Sequence, residues 1–195
     1  YTFASDGTSG VYIWGAQTEQ QSYATSYIPT SGSSVTRNQD VCNNGGSLAS
    51  INSTEGTLYF EGAALADDLT NRTITLSDGT TTNFVLIRFN DGGSNRIYTR
   101  VNVGGAVQYF DLEFSIDITN TNKIAIRYGD NNFATFINGS KVNSQLSGSV
   151  FGAGVLTELA FDNGAGNQNL FGKTKAVAVW KEALSDSELQ SLTTI

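Results

Sequence analysis

Histidine and methionine are both missing from this 195-residue chain, and cysteine and proline occur once each. Without an imidazole there is no Ser–His–Asp or Cys–His relay and no histidine metal site. A single cysteine, Cys42, closes no internal disulfide and builds no zinc or iron–sulfur cluster. Charged residues make up only 15%, and basic side chains are the scarcer kind: 11 Lys and Arg against 18 Asp and Glu, a net charge of −7. With a pI near 4.4, the chain does not suit a nucleic-acid partner held mainly through phosphates. No apolar run approaches the roughly 20 residues of a membrane-spanning helix, so no membrane insertion is expected. What remains is carboxylate chemistry, hard-metal binding through oxygen, or recognition without chemistry. An apolar content of 39% and 21 glycines do not fit compositional disorder, and the length suits one medium domain or one domain plus an appendage.

The chain opens at Tyr1, which reads as a piece of a longer polypeptide or a processed product. Residues 1–30 hold one strand-like stretch at 10–15, where Val11 and Ile13 alternate with Tyr12 and Trp14. An extended segment at 22–30 follows and contains the proline. Residues 31–54 are rich in Ser, Thr, Asn and Gly, and they read as a linker or an arm.

From residue 55 onward the pattern is all-β. Strands are expected at 57–61, 72–76, 83–89, 96–103, 106–110, 123–128, 133–137, 156–161 and 173–180. Turn signals separate them: Gly104-Gly105 suggests a hairpin from 96–103 into 106–110, and Asn138-Gly139 is a second strong turn. This spacing points to a two-sheet sandwich or barrel rather than to βαβ units. Only the tail looks helical. Ser185 and Glu188 form a capping box, Leu184 and Leu189 stand where a hydrophobic staple does, and Leu192 extends the apolar face. So short a helix must dock on the sheets to persist.

Two segments carry a family resemblance. Residues 123–141, a paired strand ending in Asn138-Gly139, and the tail 171–189 together resemble laminin G-like, concanavalin A-like sandwiches. The resemblance implies an antiparallel jelly-roll over 55–195 with one short C-terminal helix. That superfamily includes sugar-binding modules, adhesion domains and some glycan-cleaving enzymes, and many members carry calcium near the loop rim. The opening piece, Val11 to Gln17 with Tyr23 to Thr30 and Val35 to Arg37, is similar to a segment of bacterial-virus tail and receptor-binding proteins. That likeness implies a terminal strand of a preceding β-domain, a virion-tail or extracellular location and a homotrimer.

Three kinds of site are open. On a strand, Asp111, Glu113, Ser115 and Asp117 share one face and Phe110, Leu112, Phe114 and Ile116 the other. Glucanases of the resembled superfamily place acids at i, i+2 and i+4 on such a face, where two carboxyls about 5–5.5 Å apart support a retaining mechanism. Here the third acid comes one step late, and a solvated acidic face that discourages edge pairing is the plainer reading. Calcium suits the oxygen-rich loops holding Asp91, Asp130 and Asp162, although Asp, Asn and Gly are also ordinary turn residues.

Sugar recognition asks for aromatic faces and planar polar groups. Arg96, Tyr98, Arg100, Tyr109, Tyr128 and Trp180 are the candidates. In 96–100, period 2 sets Arg96, Tyr98 and Arg100 against Ile97, Thr99 and Val101. With the apolar side inward, two guanidiniums and a phenol face out, which suits a glycan bearing carboxylate or sulfate. The alternative is that the arginines pair with neighbouring acids. Trp180 alternates with Val177 and Val179 and so points away from the core, under the helix or toward a ligand. The expectation is a non-catalytic, polysaccharide-binding adhesion module. An assembly domain is the alternative, and a hydrolase or lyase using Asp111 and Glu113 a third.

Overall fold

A computed structural model describes residues 7, 10, 14–18, 27–36 and 45–195. The chain divides into two units, 1–40 and 41–195. In the first, the Trp14 and Tyr27 rings meet edge to face at 6.1 Å, and Gln17 Oε1 accepts from the Ile28 N–H at 2.8 Å. The expected strand residues Val11, Tyr12 and Ile13 lie outside the described residues, as do Tyr23 to Ser26, Arg37 and Cys42.

The second unit is all-β with one short helix. Its strands are β1 (Glu55–Ala64), β2 (Arg72–Ser77), β3 (Phe84–Phe89), β4 (Arg96–Val103), β5 (Ala106–Phe114), β6 (Asn122–Gly129), β7 (Phe133–Ile137), β8 (Ser140–Gln145), β9 (Glu158–Ala160) and β10 (Gly172–Trp180), followed by α1 (Asp186–Thr193). They form two five-stranded sheets, ordered β10-β1-β6-β7-β8 and β5-β4-β3-β2-β9. Every strand pair within them is antiparallel. The fold is the expected antiparallel β-sandwich.

Alternation builds the core. Leu58 and Phe60, Ile124 and Ile126, and Phe133 and Ile137 of the first sheet meet Ile74 and Leu76, Val85 and Ile87, and Ile97 and Val101 of the second. Each buried side chain of this kind contributes about 1.5–3 kcal/mol. Polar contacts also tie the layers: in the core Thr99 and Thr135 share a 2.7 Å hydrogen bond, and the Tyr109 hydroxyl donates to Thr135 at 2.8 Å. Of the polar segment 31–54, Ile51 is itself a core residue, and the Ser53 hydroxyl accepts from the Leu156 N–H.

Both expected turns form. Asn138 and Gly139 (φ 49° and 82°) join β7 to β8, and Gly104 and Gly105 (φ 60° and 82°) join β4 to β5; two consecutive positive φ angles match the right-handed strand twist. Strand β8 was not expected, because its sequence offers a single apolar side chain, Val142. Pairing with β7 creates it, and as an edge strand it needs no apolar outer face. Its Asn143 and Gln145 amides donate to the carbonyls of Phe110 and Gln108 on β5. They cap the facing edge of the other sheet.

The capping box of α1 is present: Ser185 Oγ accepts from the Glu188 N–H, and Glu188 Oε2 accepts from the Ser185 N–H at 2.8 Å. Leu184, Leu189 and Leu192 pack on the outer face of the first sheet against Tyr59, Phe136, Ala125 and Ala134. The alanines let the helix approach closely. Arg127 then clamps it, donating to the Leu184 carbonyl and to Asp186. No helix among the described residues is long and apolar enough to cross a membrane.

Candidate functional site

While α1 covers part of the first sheet, the outer face of the second carries arginine and phenylalanine side chains. Its register aligns Arg88 with Tyr98 and Leu112, Leu86 with Arg100 and Phe110, and Arg96 with Phe114. Ile97, Thr99 and Val101 are buried inward, so Arg96, Tyr98 and Arg100 point outward together, as the alternation of β4 predicts.

The arginines lie over aromatic rings. Arg96 sits 5.1 Å from the Phe114 centroid, Arg88 5.7 Å from Tyr98 and Arg100 5.8 Å from Phe84. Each such contact is worth about 0.5–2 kcal/mol and helps hold a guanidinium in place. Tyr98 is only 8% exposed, packed with Phe84, Leu86 and Leu112. It is a floor rather than a free ring.

Among the described residues, five arginines divide into two groups. Arg72, Arg88 and Arg127 are ion-paired with Asp68, Asp91 and Asp186. Arg96 and Arg100 have no carboxylate partner there. Arg96 Nη1 donates to the Asp91 carbonyl, and Arg100 Nε donates to Asn102 Oδ1. The Nη groups of Arg100 have no protein partner among the described residues. Beside them Phe110 and Phe114 are 58% and 56% exposed. The site is a shallow face of two guanidiniums without acidic partners among the described residues, flanked by apolar rings.

Strand β5 overturns two expectations at once. Asp111 lies opposite Thr99 and Glu113 opposite Ile97, so the acids face the inter-sheet side and the phenylalanines face solvent. Asp111 is 8% exposed, and its Oδ2 has no hydrogen-bond partner. Burial, with Glu113 close by, pushes its carboxyl up to about 6. Asp111 is therefore not solvated and not placed to meet a glycan, and Glu113 is half-buried. Tyr109 shares this phase. Its ring stacks on Phe133 at 5.6 Å in the core, so it is not a ligand contact. The large ring takes the inward position and carries Asp111 and Glu113 with it, two and four residues on. Asp117 lies past the strand, where it closes a turn onto Thr119 and Asn120.

Tyr128 is likewise a core residue. It donates to the Asn52 carbonyl at 2.7 Å, and burial raises its hydroxyl pKa. Trp180 lies on the outer face of the first sheet with Leu184, Leu189 and Leu192, remote from the arginines. Thus Arg96, Tyr98 and Arg100 share one face, while Tyr109, Tyr128 and Trp180 do not join them. Sequence reasoning missed Arg88, Phe110 and Phe114. The signal for Arg88 was present: it is the polar break in the apolar run of β3, in phase with Phe84 and Leu86.

The three candidate metal aspartates lie in three separate loops. Asp91 follows β3 and binds Arg88 at 2.6 Å; together with its carbonyl contact to Arg96, it organises the arginine face. Asp130 sits in the β6–β7 turn, and Asp162 follows β9 and accepts from the Gly164 N–H. Among the described residues, no three acidic, histidine or cysteine side chains converge as a metal site.

No known family model matches the chain, nor does any curated protein. Solved structures of similar fold do exist. The Ruminococcus gnavus IT-sialidase CBM40 bound to α2,3-sialyllactose has a TM-score of 0.59 at 15% identity, covering 75% of this chain and 85% of that one. The NanB sialidase of Streptococcus pneumoniae matches with a TM-score of 0.55 at 16% identity, over 75% of this chain and 25% of that one. The binding domain of Botulinum neurotoxin DC, in complex with rat synaptotagmin II, matches with a TM-score of 0.54 at 15% identity, over 72% and 35%. These likenesses establish the β-sandwich fold.

Proposed function

We propose that the 41–195 unit is a non-catalytic carbohydrate-binding module, and that the outer face of β3, β4 and β5 takes a glycan bearing a carboxylate or sulfate. The observation that carries this reading is the pairing of two arginines lacking acidic partners with exposed phenylalanines, in a chain of net charge −7. Guanidiniums held over rings can still offer N–H groups for contact with a planar anion. Phe110 and Phe114 offer apolar surface to the C–H side of a sugar ring. Neighbouring folds solved with α2,3- and α2,6-sialyllactose support an acidic sugar as the first ligand to try. The inward turn of Asp111 and Glu113 speaks against cleavage. The resemblance of the opening segment to viral tail proteins supports a module displayed on a virion tail or another extracellular surface.

Calorimetric titration with 3′- and 6′-sialyllactose, against lactose as the neutral control, tests this. Run in calcium and again in chelator, the same titration reads metal dependence. Sialyllactose should bind and lactose should bind much more weakly. Arg100→Ala should weaken binding about 10- to 100-fold, as expected for a charge-assisted contact of about 1.5–3 kcal/mol. Silence toward sialyllactose and toward an array of uronate and sulfated glycans would overturn the reading.

A further inference from the structure

The side of the sandwich opposite the arginine face has a concavity of its own. Between the end of β10 and α1, a groove of about 440 Å³ is lined by Trp180, Leu184, Ser187, Glu188, Ser191 and Leu192. That volume falls within the roughly 300–1,000 Å³ typical of small-molecule sites. Its chemistry is divided. Trp180 and the two leucines form an apolar wall that continues the cluster beneath the helix, and the other three residues present oxygens from one side of α1.

Those oxygens are only partly used by the fold. The capping box employs Glu188 Oε2 alone; Oε1 has no partner among the described residues. Hydrogen bonding to Ser185 holds the Glu188 carboxyl below its usual pKa, so it is an ionised acceptor at neutral pH. The Ser191 hydroxyl has no intramolecular partner among the described residues, and Ser187 makes only a 3.2 Å contact with Ser185. The Trp180 indole N–H is likewise unpartnered there. The ring is held in place, with Tyr59 packed edge to face at 6.3 Å. A fixed indole beside a carboxylate and two hydroxyls matches one ligand chemistry well: a flat apolar C–H face with hydroxyls around its rim.

We propose that this groove is a second saccharide site, taking a neutral hexopyranose with its C–H face on Trp180 and its hydroxyls on Glu188, Ser187 and Ser191. Neutrality follows from the carboxylate, which disfavours an anionic sugar here while the arginines favour one on the other face. The module then contacts glycan from both sides. This inference does not depend on the arginine face binding anything.

The chain has two tryptophans, so a nitrogen–proton correlation spectrum of the 15N-labelled protein carries two indole N–H signals, assigned with Trp14→Phe. The probes are the methyl glycosides of glucose, galactose and mannose, titrated to about 50 mM, well above the millimolar dissociation constants that correspond to about −4 kcal/mol. At least one probe should move the Trp180 signal saturably and leave Trp14 in place. Ser191→Arg fills the groove from an exposed helix position and should abolish the shift while the thermal midpoint stays the same. Arg100→Ala should leave the shift intact, which separates this site from the arginine face. A stationary Trp180 signal with all three probes, or a shift that survives in Ser191→Arg, would overturn the proposal.

Discussion

Replacing Asp111 by Asn should stabilise the sandwich at neutral pH and leave it unchanged in acid. Asp111 is buried beside Thr99 between the sheets, its Oδ2 lacks a partner, and burial with Glu113 nearby pushes its carboxyl up to about 6 from 3.8. A folded-state value above the unfolded one means the folded protein holds the proton more tightly. Stability is therefore complete below about pH 4 and falls as pH rises through 6. At 1.36 kcal/mol per unit, the shift corresponds to about 3 kcal/mol at most. Water reaching the half-buried Glu113 at the β5 edge lowers a realistic figure to about 2 kcal/mol. An asparagine keeps the shape and cannot ionise. Urea unfolding of both proteins from pH 3.5 to 8 should give curves that coincide at the acid end and separate between pH 4 and 7. The variant should gain about 4–8 °C in Tm at pH 8. A constant offset across the range, or a variant less stable at pH 8, would refute the inward placement of this carboxyl.

Other outcomes follow from the same structure. Phe110→Ala should weaken sialyllactose binding severalfold and leave the urea midpoint unchanged, because the ring is mostly in solvent. Ser185→Ala removes the acceptor for the Glu188 N–H and should cost about 1 kcal/mol in chemical denaturation. Asp186→Ala removes the partner of both Arg127 and Lys141; leaving the buried Arg127 guanidinium unpaired should cost about 1–3 kcal/mol and speed amide exchange in α1. Gly139→Ala puts a side chain where φ is 82° and should destabilise the β7–β8 hairpin by about 1 kcal/mol, seen as a lower thermal midpoint.

The arginine face shows how far local pattern reaches. In β4, the isoleucine, threonine and valine between Arg96, Tyr98 and Arg100 leave one sensible side to bury, and the structure agrees. In β5 both sides are credible. Residues 109–114 read Tyr-Phe-Asp-Leu-Glu-Phe, with an aromatic in either phase and acids that seem to belong in water. The choice was made by Phe133 across the core, which stacks on Tyr109, and by the register shift at Val101 and Asn102 that sets the pairing with β4. Neither is visible along the chain. One wrong phase produced two wrong placements, Tyr109 outward and Asp111 in solvent, because side chains two residues apart share a face.

Tyr128 shows the same limit at longer range, whereas Trp180 takes one of its two expected placements, against the helix. Each belongs to a strand whose alternation was read correctly. That Tyr128 faces a sealed interior, while Trp180 lies beneath a helix at one end of a groove, depends on which layers pack together. What the sequence determined by itself was what neighbours in the chain can settle: the strands with clear alternation, the glycine-bearing hairpins, the helix with its cap, and the exclusion of every histidine-dependent chemistry. Only the tertiary structure decided which faces were left over. The hydrophobic effect rewards burial without regard to direction, so the partner across the core, and not the strand alone, selects which side chains remain at the surface to bind.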